Sequence, residues 1–239
     1  MQKQLTELRL LASGAGNKAT ETGIPRVAMV QGEIPEHRLS AVYEPMINLI
    51  LTGSKSMTVG NKTWQYDPAT YFVMSVDLPA VGKVCADEKT GAPYLAVSLT
   101  PKPEIIAELL DDMPAVDKMH LYHAGFSVAP VTSELLDAWL RMLRLINKPE
   151  EISALAPAYE REILFRVLQG PLGWMLRNIA TPESHLSRIY RVINWLKLNY
   201  MQAVRVEELA AMAALSVSAF HRHFQAITAL SPMQYQKRV

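Results

Sequence analysis

Four polar side chains near the carboxyl end of the chain recur at helical spacing: Ser218, His221, Arg222 and Gln225. All four can donate hydrogen bonds, and residues three and four apart lie side by side on a helix. A helix that reads the major groove of DNA needs short polar or basic side chains in its amino-terminal half. Arg222 is the best candidate for a base contact, because its planar guanidinium can bond two atoms of guanine. A structural helix with a solvated face would show a similar pattern.

The other face of this predicted helix is apolar, and a second short helix precedes it. Phe220, Phe224 and Ile227 recur at four- and three-residue steps and therefore form the buried side. Small residues before a turn at residues 214–216 let the two helices cross closely, and Ser216 is a natural N-cap for the second. This pair of helices is typical of a helix-turn-helix.

Net charge separates the two parts of the chain. Residues 181–239 carry seven Lys and Arg against three Glu, a net charge of +4, which leaves −3 for residues 1–180. A basic segment on an acidic body favours a nucleic-acid partner, and chance variation in solvated charge would give the same asymmetry. Arg188, Arg191 and Arg205 are expected to contact phosphates or solvent.

The histidines raise the question of metal binding. His221 and His223 form an H-x-H, but residues two apart on a helix point about 200° from one another and cannot chelate one ion. The strand region contains only His37. His120 and His123 would share a face only on a helix, and no carboxylate neighbour is evident. We therefore predict no metal, no cofactor and no catalytic residue.

The elements that must position these residues begin with strands. Between Pro25 and Leu99, short segments rich in Val, Ile, Tyr and Thr are separated by Gly, Pro, Asn and Asp. Gly60-Asn61 suits a tight hairpin. So many closely spaced strands must bury one face, which favours an antiparallel barrel or sandwich. The strand candidates are Arg26–Gln31, Met46–Leu51, Lys55–Val59, Lys62–Tyr66, Thr70–Val76, Val81–Cys85 and Tyr94–Leu99.

Helical periodicity flanks the strand region. One predicted helix has an apolar stripe, which packs on the barrel or forms a dimer interface. The stripe consists of Leu136, Trp139, Leu140, Leu143 and Ile146. Thr181-Pro182 is expected to start the last helix before the helix-turn-helix. The predicted helices are Gln2–Ala12, Glu104–Asp111, Ser133–Asn147, Tyr159–Gln169 and Glu183–Tyr200.

Within the predicted barrel, Cys85 is the single cysteine of the chain. It would be a redox or electrophile sensor if it faced the barrel interior with an activated thiol, and buried filler otherwise. Four aromatic residues could line a pocket, although aromatic residues on strands are more often core. These residues are Tyr43, Trp64, Tyr71 and Tyr94.

Composition indicates an ordinary globular protein, with 49% hydrophobic and 20% charged residues. The apolar run Leu8–Ala12 is too short for a signal-peptide core or a membrane span. A single cysteine agrees with a reducing compartment. We therefore expect a cytoplasmic protein without a membrane partner.

Three stretches near the carboxyl end resemble the AraC type of transcription regulators. The run from Leu215 to Phe224, with its Phe-His-Arg-His-Phe core, is similar to the first of that family's two helix-turn-helix units. Arg-Val-Glu-Glu-Leu-Ala from Arg205 precedes it, and Ser-Pro-Met-Gln-Tyr from Ser231 resembles the start of the family's linker helix. This sequence reaches Val239 where that linker would run on to a second unit, so we expect weak DNA binding from a single unit.

Residues from about Ile24 to Leu168 resemble the amino-terminal domain of one AraC branch. The resemblance implies an α+β fold: a cupin-like antiparallel β-barrel with following helices, then an all-α helix-turn-helix segment. It further implies that residues 1–180 sense an effector and dimerise, and that residues 181–239 bind promoter DNA. The hypothesis is a homodimeric DNA-binding regulator that responds to an unknown small molecule. The alternatives are a metal-independent cupin-like enzyme or small-molecule binder, and a regulator without an effector.

Overall fold

The computed structural model describes residues 1–32, 37–68, 70–114, 125–181 and 184–239, without the side chains of residues 37–41. The strands are β1 (Thr20–Glu21), β2 (Val27–Gly32), β3 (His37–Tyr43), β4 (Met46–Thr52), β5 (Ser54–Val59), β6 (Lys62–Tyr66), β7 (Thr70–Met74), β8 (Leu78–Cys85), β9 (Tyr94–Leu99) and β10 (Phe126–Pro130). The α-helices are α1 (Gln2–Leu11), α2 (Pro103–Asp111), α3 (Ser133–Arg144), α4 (Ile152–Gln169), α5 (Gly173–Ala180), α6 (His185–Leu198), α7 (Val206–Met212), α8 (Val217–Thr228) and α9 (Pro232–Gln236).

The strands form two antiparallel sheets, which confirms the predicted α+β class. One sheet has the order β1-β2-β9-β4-β7-β10 and the other β3-β8-β5-β6. The seven predicted strands are present, and the hairpin at Gly60-Asn61 joins β5 to β6. Strands β1, β3 and β10 were not predicted. β10 pairs with β7, which lies more than fifty residues earlier in the sequence. A pairing over this distance leaves no local sequence pattern from which it could be predicted.

The central strands of the larger sheet are buried on both faces. In β4, Ile47, Leu49 and Leu51 face a core shared with helices α1–α5, whereas Ile50 faces the space between the two sheets. Successive side chains of a strand point to opposite faces, so a run of consecutive apolar residues is what a doubly covered strand requires. The two hydrophobic cores therefore lie on opposite faces of the larger sheet.

Helix α3 lies in the first of these cores. Leu136, Trp139 and Leu143 are fully buried and Leu140 is 4% exposed. The apolar stripe thus packs within the chain, as the first of the two interpretations predicted. The alternative, a dimer interface made by this stripe, is wrong because the stripe is already covered.

Several helix boundaries differ from those predicted. Helix α4 begins at Ile152, before Pro157 rather than after it, and α5 was not predicted. Helix α6 is capped by Ser184, whose hydroxyl accepts a hydrogen bond from the Ser187 N–H at 2.9 Å. Thr181 is not the cap, because its hydroxyl donates to the Arg177 carbonyl instead. No helix in the described ranges is long and apolar enough to cross a membrane.

The carboxyl-terminal helices α6–α9 contribute side chains to the second core. Asp77 fixes two of them: its carboxylate pairs with Lys197 of α6 at 2.6 Å, and its carbonyl accepts from the Tyr235 hydroxyl of α9 at 2.8 Å. The Gly125 N–H donates to the Ile227 carbonyl at 2.9 Å. The helical segment is therefore docked on the barrel by specific polar contacts as well as by apolar burial.

The hairpin turn at Gly60 tests this docking. A Cβ atom on Gly60 would lie 2.3 Å from the Ala229 carbonyl oxygen, and the backbone φ of Gly60 is +61°. We expect Gly60→Ala to lower the free energy of unfolding by at least ~2 kcal/mol, because positive-φ strain adds to a backbone clash.

Gly91→Ala is the matched control, because Gly91 has a φ of +68° and nothing within 4 Å of its added Cβ. It should show only the strain, on the order of 1 kcal/mol. Denaturant titration of both variants measures the difference. If both variants lose the same free energy of unfolding, the hairpin turn at Gly60 does not pack against Ala229 as closely as the structure shows.

Candidate functional site

Helices α7 and α8 form the predicted helix-turn-helix geometry. The chain reverses at Ala214, a non-glycine residue with φ +52°, and the Leu215 N–H donates to the Ala210 carbonyl at 3.0 Å. Ser216 caps α8 and accepts a hydrogen bond from the Ala219 N–H at 3.3 Å. The small side chains of Ala210 and Ala213 are buried, which lets the helices cross closely. Local sequence thus accounts for this turn.

Helix α8 has one buried and one exposed face. Phe220 and Phe224 are fully buried, and Ile227 is 3% exposed. The predicted reading residues Ser218, His221, Arg222 and Gln225 are all solvent-exposed. Docking on the barrel therefore leaves the polar face of the helix accessible.

The two histidines of the H-x-H lie on different sides of α8. His221 is exposed, whereas His223 is 7% exposed and its ring stacks on that of His185, with centroids 4.1 Å apart. This placement is the divergence expected of residues two apart on a helix. The residues described contain no group of three His, Cys, Asp or Glu suited to a metal ion. His120, His123 and the His37 side chain lie outside the described residues.

The three arginines expected to contact phosphates or solvent have different environments. Arg188 donates to the Ala214 carbonyl in the turn at 3.2 Å, so it supports the helix-turn-helix itself. Arg191 and Arg205 are exposed. The latter two remain available to a phosphate backbone.

Cys85 does not face the barrel interior. It is the last residue of β8, where Val84 is buried at 4% exposure and Cys85 is partly exposed on the alternate face with Val81 and Lys83. The predictions of an interior sensor and of buried filler are therefore both wrong about its position. The alternation of the strand decides the face, and the sequence did not reveal which face is inward.

A cavity of about 320 Å³ lies where α6 meets the barrel. Ser75, Asp77 and Thr100 line it from the barrel side, and Ser187 and Lys197 line it from α6. Asp77 and Lys197 are paired with each other, and Glu44 adds a second carboxylate to the lining. The cavity is thus a gap in the docked surface whose lining carries more negative than positive charge.

A second polar group of residues lies inside the barrel, and we call it the donor cluster: Tyr43, Lys55, Tyr66 and Tyr94. They come from β3, β5, β6 and β9, and Lys55 is directly opposite Tyr66 in the β5–β6 pairing. The Lys55 ammonium lies 4.6 Å from the centroid of the Tyr43 ring. A Cβ atom on Gly82 would lie 2.5 Å from the Tyr43 hydroxyl, so glycine leaves room for these groups.

Within the described residues, three members of the donor cluster are buried and Tyr43 is partly exposed. Lys55 is 7% exposed, and Tyr66 and Tyr94 are each 2% exposed. The hydroxyls of Tyr43, Tyr66 and Tyr94 have no hydrogen-bond partner there. Of the pocket aromatics predicted from the sequence, Tyr43, Trp64 and Tyr94 belong to this interior, whereas Tyr71 lies in the helix-covered core.

Burial changes the acid–base properties of these groups. It lowers the pKa of Lys55 to about 8 and raises the pKa of Tyr43 to about 12. The pKa values of Tyr66 and Tyr94 are raised well above the ordinary range, by burial first and by neighbouring tyrosines second. At neutral pH, Lys55 is therefore still mainly a buried cation, and the tyrosines are neutral donors.

The lowered pKa of Lys55 has a consequence for stability. Below pH 8 the folded chain carries a buried cation, so we expect Lys55→Met to raise the free energy of unfolding at about pH 7 by on the order of 1–3 kcal/mol. Between pH 8 and the ordinary lysine pKa of 10.5, only the unfolded chain keeps this proton. The free energy of unfolding of the wild type therefore rises with pH in this range. The difference in this free energy between Lys55→Met and the wild type becomes smaller.

Urea titration of both proteins at about pH 7 and about pH 10 measures this change. The raised pKa values of the tyrosines make both proteins less stable as the pH rises above the ordinary tyrosine pKa. This contribution is the same in the wild type and in Lys55→Met, so it cancels in the difference between them. Lys62→Met, at an exposed lysine of β6, is the control and should show no such pH-dependent difference. A Lys55→Met variant that is less stable at both pH values would contradict a net cost of the buried ammonium group.

The sequence of the chain is similar to that of a known protein family. Residues 23–175 match the protein-family model of the AraC-type transcriptional regulator N-terminus. The HTH-type transcriptional activator RhaS of Escherichia fergusonii is 33% identical over 101 residues, which cover 40% of this chain and 35% of RhaS. The match thus spans about a third of that relative's length.

Similar solved structures have low sequence identity to the chain. Unsaturated fatty acid bound ToxT from Vibrio cholerae strain SCE256 is 11% identical with a TM-score of 0.40, covering 89% of this chain and 95% of ToxT. The AraC-like transcriptional activator CuxR is 15% identical with a TM-score of 0.40, covering 92% of this chain and 76% of CuxR. Since the family model covers well over half of its residues, the chain belongs to the AraC-type transcriptional regulators.

Proposed function

We propose that the chain binds promoter DNA through α8 and that a small molecule in the amino-terminal part controls this binding. The observation that carries the proposal is the division of α8 into a buried aromatic face and an exposed polar face. Phe220 and Phe224 hold the helix in place, and Ser218, His221 and Arg222 project from its first two turns. A recognition helix in the major groove uses this arrangement.

Arg222 is the principal base-reading residue in this proposal. Its guanidinium can donate two hydrogen bonds to guanine, and His221 and Ser218 reach neighbouring base edges. Gln225 contacts a base or a phosphate. Arg191 and Arg205 contribute phosphate contacts, which add affinity without sequence preference.

Effector control would act through the docked surface at Asp77. This residue holds both α6 and α9, so a change in the barrel that alters its position alters two helices of the DNA-binding segment. A small molecule shifts such an arrangement only by its difference in affinity between two states. In a homodimer, that shift would change how two copies of α8 reach their half-sites, and the dimer contact must use a surface other than the buried α3 stripe.

Substitution of Arg222 tests the DNA-binding face. Binding sites are first selected from random duplexes with the wild-type chain at low salt, where phosphate contacts contribute most to affinity. We expect Arg222→Ala to weaken binding to the selected duplex by about fivefold to a hundredfold, the equivalent of one lost bidentate contact, and to leave binding to a scrambled duplex nearly unchanged.

Arg161→Ala is the matched control in a gel-shift titration, because Arg161 lies on α4 and pairs with Glu108 far from α8 in sequence. It should bind both duplexes like the wild type. If Arg222→Ala keeps the wild-type ratio of affinities for the two duplexes, Arg222 does not contact the bases as proposed.

Arg191 provides a separate test of the phosphate contacts. Arg191→Ala should weaken binding to selected and scrambled duplexes alike, and should make the slope of log affinity against log salt concentration shallower by about 1. Fluorescence anisotropy over a salt series measures that slope. A change confined to the selected duplex would instead make Arg191 a base-contacting residue.

A further inference from the structure

The exposed face of α8 carries an apolar side chain among its polar ones. The large apolar residues Phe220, Phe224 and Ile227 of this helix are buried. Val217, its first residue, is 39% exposed. Residues four apart on a helix are neighbours, so Val217 lies beside His221. The exposed face of α8 therefore includes an apolar side chain to which the proposed polar contacts give no role.

The charge of α8 suits contact with a polyanion at this end of the helix. Its sequence contains no Asp or Glu, although a carboxylate in the first turn would stabilise the helix through the macrodipole. Helix α7 has two such carboxylates in its first turn, Glu207 and Glu208. A carboxylate at the start of α8 would repel the phosphates of DNA. Val217 thus occupies a position where a negative charge would help the helix alone but oppose DNA binding.

The chemistry of the major groove identifies a partner for an apolar side chain at this position. Among the groups on base edges there, the C5 methyl group of thymine is the apolar one. Valine suits contact with a methyl group, because its β-branched side chain has few rotamers and loses little entropy when it is fixed. An apolar contact would therefore add sequence discrimination that the hydrogen-bonding residues of α8 do not supply.

We propose that Val217 is a specificity-determining residue that contacts the 5-methyl group of a thymine near the guanine contacted by Arg222. Five residues of α-helix separate Val217 from Arg222, which is about 7.5 Å along the helix axis. This length corresponds to about two base-pair steps of DNA, so we expect the thymine within about three base pairs of that guanine. The inference names a feature of the DNA sequence and rests on the function proposed above.

Replacement of thymine by deoxyuridine tests the contact, because uracil lacks the 5-methyl group and keeps the same hydrogen-bonding groups. Duplexes selected by the full wild-type chain are synthesised again with one thymine replaced at a time, and fluorescence anisotropy measures each affinity. The reference position is the guanine for which Arg222→Ala loses its preference. We expect one replacement within about three base pairs of it to weaken wild-type binding by about fourfold, the effect of one buried methyl group.

The variant Val217→Ala assigns the methyl effect to this side chain. Alanine is the better helix former, so the variant should fold like the wild type, which thermal unfolding checks. It should bind the thymine duplex about fourfold more weakly than the wild type and bind the thymine and deoxyuridine duplexes equally. Val81→Ala, at an exposed valine of β8, is the matched control and should keep the wild-type preference for thymine.

Three results would overturn the proposal. They are a selected site without thymine in this interval, a wild type that is insensitive to every replacement in it, and a Val217→Ala variant that keeps the wild-type preference for thymine. If the preference that depends on Arg222 persists in these cases, the DNA-binding face is retained and only the role of Val217 is removed. A chain that selects no duplex would remove both proposals.

Discussion

The structure depends on central strands that are covered on both faces. In β9, Val97 and Leu99 support the helices α1–α5, and Ala96 and Tyr94 face the barrel interior. A single layer of backbone therefore separates the helices α1–α5 from the interior that contacts the helices α6–α9. Because successive side chains alternate, a shift of one residue in register would exchange the two cores and place Tyr94 among the helices. Both the scaffold and the donor cluster follow from this one register.

The docked surface shows how the helices α6–α9 are held while the polar face of α8 stays exposed. The buried face of α8 joins the second core, and Asp77 ties α6 and α9 to the barrel through an ion pair and a carbonyl. The exposed face carries Arg222 away from these contacts. The contacts of α6 and α9 with Asp77 thus fix the position of α8 without covering its polar face.

Two polar sites next to the second core differ in how well their charges are matched. In the cavity between α6 and the barrel, Asp77 and Lys197 neutralise each other, and the pair stabilises the docked arrangement. In the donor cluster, the Lys55 ammonium lies over the Tyr43 ring, and the hydroxyls of Tyr43, Tyr66 and Tyr94 have no hydrogen-bond partner within the described residues.

Sequence alone determined the helix-turn-helix and the two faces of α8, because a cap such as Ser216 and the spacing of Phe220 and Phe224 act within a few residues. It also determined most strands and the α3 stripe. Only the tertiary structure decided which face of each strand is inward. It places Cys85 on the outer face of β8 and Lys55 on the inner face of β5. The spacing of Lys55, Met57 and Val59 puts their side chains on one face of β5, but it does not say that a lysine on this face is buried. The donor cluster itself could not be read locally, because it exists only when strands from two sheets close around one interior.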